Sequence, residues 1–250
     1  MSAVLALKPD QNTERDARLN LAACYRLIAH FGMDDLIYTH ISARVPGSPG
    51  HFLINPYGMM FHEITASSLV KIDYDGNLVE PAQHPINYAG FVIHSAIHAA
   101  RPDVTCVLHT HTRAGVAVSC LKEGLLSLNQ FSAGFYNRVG YHDYEGIATN
   151  LDERQRLVRD VGDKRVLILR NHGLLTAGRS VPEAFQLMYY LEQSCRVQMD
   201  LMASRGSINP LSDEVSEYTA RQCETGTQHG EREWPALLRL LDAKDPSYQQ

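Results

Sequence analysis

The sequence predicts a layered α/β or α+β domain, on three observations. Segments with helical spacing alternate with short apolar runs of strand length, turn-forming clusters separate them, and no Gly/Ser linker, repeat or low-complexity tract divides the chain. At 250 residues it can bury one large core, so a single substantial domain is expected.

The elements can be justified in order. After a loose first dozen residues, Thr13 caps a helix with Asp16 three positions on. Leu21, Tyr25 and Ile28 recur near the helical period, and Gly32 marks the stop. Short extended pieces follow in LIYTHISARV, HFLINP and LVKIDYDGNLVE, where Asp75-Gly76-Asn77 forms a turn. A second helix starts after Pro85, carries Phe91, Ile93, His94, Ile97 and His98 on its repeat, and ends before Arg101-Pro102. VTCVLHTH reads as a buried strand. Beyond a Gly-rich, aromatic stretch (FSAGFYNRVGYHDYEG) come an amphipathic helix from Leu151 to Val161 and a strand, RVLILR, ending in Asn171-His172-Gly173. Ser180 caps what should be the longest helix, with Pro182 in its first turn and Glu183 three residues after the cap. The polar C-terminal segment is harder to place; Tyr218 and Trp234 are expected to dock parts of it on a surface.

Composition excludes several classes. With 23 Lys plus Arg against 28 Asp plus Glu, the net charge of -5 suits solubility, and the dispersed basic residues offer no nucleic-acid surface. The 5 cysteines form no CxxC pair and cannot all pair within one chain, which points to reduced thiols and a cytoplasmic location. MSAVLALKPD is too short for a secretory signal, and no apolar stretch reaches the roughly 20 residues that span a bilayer, so no membrane partner is expected.

The chemistry concentrates in histidines. In VLHTHTRAG, His109 and His111 are two positions apart, which on a strand places both on one side. Two imidazoles in an apolar wall require hydrogen-bond partners or a metal ion. Zinc, manganese and ferrous iron all accept imidazole, and a Zn–N distance of about 2 Å forces such ligands to converge. His172, beside Gly173 at the end of an apolar strand, is the best third ligand. His94 and His98, at i and i+4 on a helix, compete for that place, although the glutamate of a metallopeptidase HExxH is absent. Spacing alone leaves a metal site and ordinary strand histidines both open.

TASSLVKIDYDG, INYAGFVIHSAIHAARPDVTCVLHTHTRAGVAVSC, YHDYEG and LILRNHGLLTAGRSVPEAF, in that order, resemble the class II aldolase/adducin domain family over about residues 14 to 200. The resemblance implies a three-layer α/β/α domain with a central, mainly antiparallel sheet over 14–204. Residues 205–250 would be a C-terminal extension packing on the domain or a neighbouring subunit of a homotetramer. In the family's sugar-phosphate aldolases and epimerases, the HxH pair and the NHG histidine bind a divalent ion. That role carries to His109, His111 and His172, with zinc the first choice and manganese or Fe(II) the alternatives. All three are present, unlike in adducin-like members that have lost catalytic ligands.

The same comparison exposes departures. The catalytic glutamate of the sugar-phosphate aldolases matches Gly90, their phosphate-holding serine pair matches Tyr88 and Ala89, and their Gly-Asn loop element matches approximately Thr39-His40. Glycine cannot transfer a proton, so another acid/base is needed, and with much of the phosphate cradle also replaced a phosphorylated sugar is a poor first choice. Glu63 and Tyr144 are the first catalytic candidates, with Glu145 and His84 behind them. Each has a plain alternative: a capping role for Glu63, a subunit contact for Tyr144 and Glu145, loop ordering for His84. His84 and Tyr88 could line a substrate site for a bulkier or aromatic molecule. Arg113 could meet a substrate carboxylate through its planar fork, face solvent or bridge subunits.

The expected activity is a divalent-metal-dependent carbon–carbon lyase, aldolase or decarboxylase, acting on a small unphosphorylated oxo or hydroxy acid. Adjacent substrate oxygens would chelate the ion, which would stabilise the negative oxygen of an enediolate. One alternative is a non-haem iron oxygenase of an aromatic hydroxy-keto acid, since three histidines leave open positions for oxygen. The other is a non-catalytic, adducin-like interaction domain.

Overall fold

Side-chain alternation along the central strands decides the architecture. The computed structural model describes residues 13–148, 150–225 and 229–250, so the reading of MSAVLALKPD lies outside the described residues. The elements are α1 (Glu14–His30), β1 (His40–Arg44), β2 (His51–Ile54), a 3-10 turn (Phe61–Glu63), β3 (Val70–Asp73), α2 (Tyr88–Ala100), β4 (Cys106–Thr110), α3 (Arg113–Ser119), α4 (Gln130–Ala133), β5 (Val139–His142), α5 (Glu153–Val161), β6 (Val166–Leu169), β7 (Gly173–Gly178), α6 (Val181–Ser204), α7 (Asp213–Thr225), α8 (Trp234–Lys244) and a closing 3-10 turn (Pro246–Gln249). The strands form a seven-stranded sheet in the order β3-β2-β1-β4-β7-β6-β5. Its pairings are antiparallel except for β5 with β6, which are parallel and joined through α5.

On one face of the sheet, Ile41, Leu53, Leu108, Ile168 and Leu174 pack with α1, α6 and the C-terminal α8. On the other, Val107, Leu167, Leu175 and Ala177 meet Ile93 and Ile97 of α2 and Leu157 and Val161 of α5, while Phe52, Ile54 and Ile72 meet Phe91 and Val92. Neighbouring residues of a strand point to opposite faces, so every central strand feeds two cores. The result is the expected three-layer α/β/α domain with a mainly antiparallel sheet.

The helix starts follow the sequence closely. Thr13 and Asp16 form a reciprocal capping box, Asn87 caps α2, and Ser180 accepts the Glu183 N–H at the start of α6. Gly76 sits in the turn after β3, where Asp73 accepts the N–H groups of Asp75 and Asn77.

Several elements were not foreseen, among them β7, β5 and α3. β7 is buried along its whole length and so lacks the alternation by which a strand is recognised. β5 is a short edge strand inside the Gly-rich aromatic stretch. In α3, Thr112 caps a short helix that runs through Gly115, in a stretch assigned no element from the sequence; its hydroxyl accepts the Gly115 N–H. β4 also stops at Thr110, so His111 stands just beyond the strand expected to carry it.

The C-terminal residues show one agreement and one correction. Trp234 is buried, and its Nε1–H donates to Asn20 Oδ1 at 2.7 Å. Tyr218 is 64% exposed, because α7 turns Ser216 and Ala220 inward instead. The closing turn is also fastened, with Tyr248 O accepting the Ala66 N–H. Among the described residues, no helix is long and apolar enough to cross a membrane, and the five cysteines are free, with Cys24, Cys106 and Cys195 buried.

Leu108, fully buried on the central strand β4, provides a test of this core. Leu108→Ala should lower unfolding stability by about 2–5 kcal/mol, read as a reduced urea midpoint at unchanged slope.

Candidate metal centre

Three strand ends bring the histidines together. His109 lies on β4 directly across from His40 of β1 and Leu175 of β7. His111 follows β4 by one residue, and His172 sits in the tight connection between β6 and β7. Asn171 holds a left-handed φ of 56° there. Two positions on, the residue must be small: a Cβ on Gly173 would lie 2.4 Å from Thr110 O, 3.2 Å from His111 Cδ2 and 3.4 Å from His109 Cε1. Glycine thus lets β7 start against the two histidines of β4 and its exit.

The three ligand atoms lie within 4.8 Å of one another. His111 Nε2 is 2.9 Å from both His109 Nε2 and His172 Nε2. Hydrogen-bond partners fix what two of these atoms can be. His109 Nδ1 is 2.9 Å from Leu174 O, and a carbonyl only accepts, so Nδ1 carries the proton. His111 Nδ1 is 3.0 Å from Asp35 Oδ2, and it donates for the same reason. In their neutral forms both rings therefore turn an Nε2 lone pair toward the same point. Two facing lone pairs at 2.9 Å repel unless a cation lies between them, and a divalent ion fits this donor set. Asp35 behind His111 stands where an outer carboxylate would orient the ring of a metal-binding histidine.

Burial favours the neutral forms of His109 and His172. Burial, then the surrounding His172, His111 and His40, hold His109 well below the usual imidazole range. His172 is pushed down to about 4, by burial first and then by His111 and His142. An imidazole of this kind offers a lone pair, which is the form that ligates.

A second group of histidines stands behind the first. His40 Nδ1 is 2.8 Å from His94 Nε2, His94 Nδ1 is 2.5 Å from Ser42 Oγ, and Ser42 Oγ is 2.8 Å from His98 Nε2. His94 and His98, the competing ligand pair, are thus engaged with β1 and lie outside the three-histidine cluster. Burial holds His40 and His94 well below the usual range and pushes His98 down to about 3, with Arg44 the next cause for His98.

The other expected site residues are dispersed. Tyr144 is half-exposed, its ring centroid 6.2 Å from that of His172, and the two share the wall of a small cavity with His142 and Glu153. Glu145 is held by Arg156, whose Nε lies 2.6 Å from Oε1. Glu63 Oε2 accepts the Met60 N–H at 2.7 Å, closing the 3-10 turn that packs on α1. His84 is exposed in the loop before α2, Tyr88 is half-exposed in its first turn, and Arg113 is exposed at the start of α3. Asp35, His40 and Ser42 were not singled out as site residues in the sequence. No periodic or spacing signal ties Asp35 to His111, 76 residues away. His142, flanked by Asp160 Oδ2 at 2.8 Å and Glu153 Oε1 at 3.3 Å, was likewise silent.

Fold and site together define a class, and residues 19–199 match the Class II Aldolase and Adducin N-terminal domain. The chain belongs to the class II aldolase and adducin family. A Pseudomonas aeruginosa protein that bears an aldolase class 2 name is 48% identical over 261 residues, covering 100% of both chains. The crystal structure of an aldolase II superfamily protein from Pseudomonas syringae has a TM-score of 0.91 at 50% identity and covers 98% of each chain. Alpha-adducin of Rattus norvegicus is 42% identical over 245 residues, matching 92% of this chain and 33% of the adducin.

Two substitutions test the centre. His111→Ala should remove stoichiometric metal, measured by elemental analysis after loading and desalting. Asp35→Asn should leave the circular dichroism spectrum unchanged and weaken metal binding by about 10–100-fold in competition with a chromophoric chelator.

Proposed function

We propose that this protein is a divalent-metal-dependent carbon–carbon lyase, an aldolase or decarboxylase, acting on a small unphosphorylated oxo or hydroxy acid. The observation that carries the reading is the convergence of three Nε2 atoms, two of them with their ring protons directed away to Leu174 O and Asp35. His109, His111 and His172 would hold the ion, with zinc the first choice and manganese or Fe(II) the alternatives. When bound, such an ion supplies Lewis-acid stabilisation to an oxyanion developing on adjacent substrate oxygens.

The chain's own residues have the remaining tasks. Tyr144 is the preferred proton-transfer group, because its ring stands beside His172 and its half-exposed position can reach a bound molecule. Glu63 is the second candidate, weakened by its hydrogen bond to Met60 N. His84, Tyr88 and Arg113 are assigned to the substrate side, with Arg113 offering its fork to a carboxylate. Tyr88, Ala89 and Thr39-His40, standing where sugar-phosphate aldolases hold phosphate, support an unphosphorylated substrate, and Gly90 supports acid/base groups different from theirs. This reading includes a cytoplasmic homotetramer.

Identity to alpha-adducin supports a second reading, a scaffold without turnover. The converging imidazoles weigh against it, since packing alone has no need of facing lone pairs. Protein purified without added metal and then reconstituted anaerobically with Zn, Mn or Fe(II) separates the readings across a panel of aliphatic and aromatic keto acids. Pyruvate or CO2 release without oxygen supports the lyase, oxygen uptake would replace it with an iron oxygenase, and no bound metal with no turnover would replace it with the scaffold. Tyr144→Phe should retain full metal content and lose turnover by about 100-fold or more; unchanged turnover would remove Tyr144 from the chemistry.

A further inference from the structure

Gly90 and His40 occupy one place. Gly90 is buried in the first turns of α2, and a Cβ built on it would lie 2.5 Å from His40 Cδ2, 2.7 Å from Cγ and 2.9 Å from Nε2. Each distance is well inside van der Waals contact, so no side chain, glutamate included, fits at position 90 while His40 stands where it does. The imidazole has little freedom to yield. It is 3% exposed, its Nδ1 is 2.8 Å from His94 Nε2, and its ring lies over that of His109 with centroids 5.1 Å apart and planes at 34°. His94 is fixed in turn by Ser42, and Ser42 by His98.

The backbone reinforces this placement. Thr39 enters β1 at a φ of 64°, a left-handed conformation that a β-branched residue rarely adopts, and its buried hydroxyl has no hydrogen-bond partner among the described residues. Directly after it, His40 pairs across the sheet with His109, which puts both rings on the face covered by α2. A strained backbone, a glycine cavity and a chain of three buried hydrogen bonds all bear on one imidazole.

We propose that His40 is a positioning residue of the three-histidine centre, lodged in the space that Gly90 leaves open and held by His94 so that it fixes the ring plane of His109. This rests on the metal-centre reading above. It gives Gly90 a positive role, because the glycine that removes a carboxylate from the site is also what admits the imidazole. The pair is therefore coupled: a side chain can enter at 90 only when the one at 40 is withdrawn.

The test uses Co(II) as the probe, with binding affinity and the visible ligand-field spectrum as readouts, alongside thermal unfolding. His40→Ala should fold, bind Co(II) about 10-fold or more weakly and shift the ligand-field bands, whereas His40→Asn, which retains a polar group near the Nδ1 position, should recover part of both. Gly90→Ala should lower the melting temperature in the His40 background, and much less when combined with His40→Ala, a non-additive pair. Wild type binding Co(II) while His40→Ala shows the same affinity and spectrum would overturn the positioning role alone. Equal effects of Gly90→Ala in both backgrounds would overturn the coupling and the proposal with it. Wild-type protein that takes up no Co(II) would overturn the metal-centre reading itself.

Discussion

The antiparallel pairing of β1, β4 and β7 is the constraint on which the rest depends. It sets His40, His109 and Leu175 abreast and carries the backbone carbonyl of Leu174 to His109 Nδ1. A slip of one residue in β4 would turn His109 to the α1 and α6 face and replace it with a neighbour of opposite orientation. The apolar residues on both faces forbid that slip, because Leu108 and Val107 belong to different cores. The same hydrophobic patterning that folds the sheet thus fixes the tautomer and direction of His109.

Burial supplies the second half of the chemistry. Six histidines, His40, His94, His98, His109, His111 and His172, lie close around β1, β4 and α2, and desolvation favours the uncharged forms of His40, His94, His98, His109 and His172. Neutral imidazoles can be satisfied in two ways, and the protein uses both. Behind the centre they bond to one another and to Ser42; at the centre three Nε2 atoms converge and could hold a cation. Asp35, at the edge of the site, is the fixed acceptor that commits His111 to the second arrangement.

Family membership frames the functional question without answering it. The same domain serves proteins that bear aldolase names and the adducins, of which this chain matches only a third. A fold shared so widely leaves activity to be argued from the site. Here the site sets a three-histidine cluster that could hold a metal ion near Gly90, a position with no side chain to offer.

The sequence by itself determined the layered α/β class, the caps of α1 and α6, the turn at Gly76 and the three histidines, the last through ordered motifs rather than spacing. These features are local, since a cap or a turn is written within a few residues. It did not disclose β7, whose uniform burial erases the period of a strand, nor β5, a short edge strand in a Gly-rich stretch. Tyr218 looked like a docking residue, yet its exposure depends on which face α7 presents to its neighbours. Only the tertiary structure joined Asp35 to His111 across 76 residues, took His94 and His98 out of the ligand set, and placed His40 against Gly90. Sheet register and helix packing decide such contacts, because they bring together residues whose sequence separation carries no signal of their meeting.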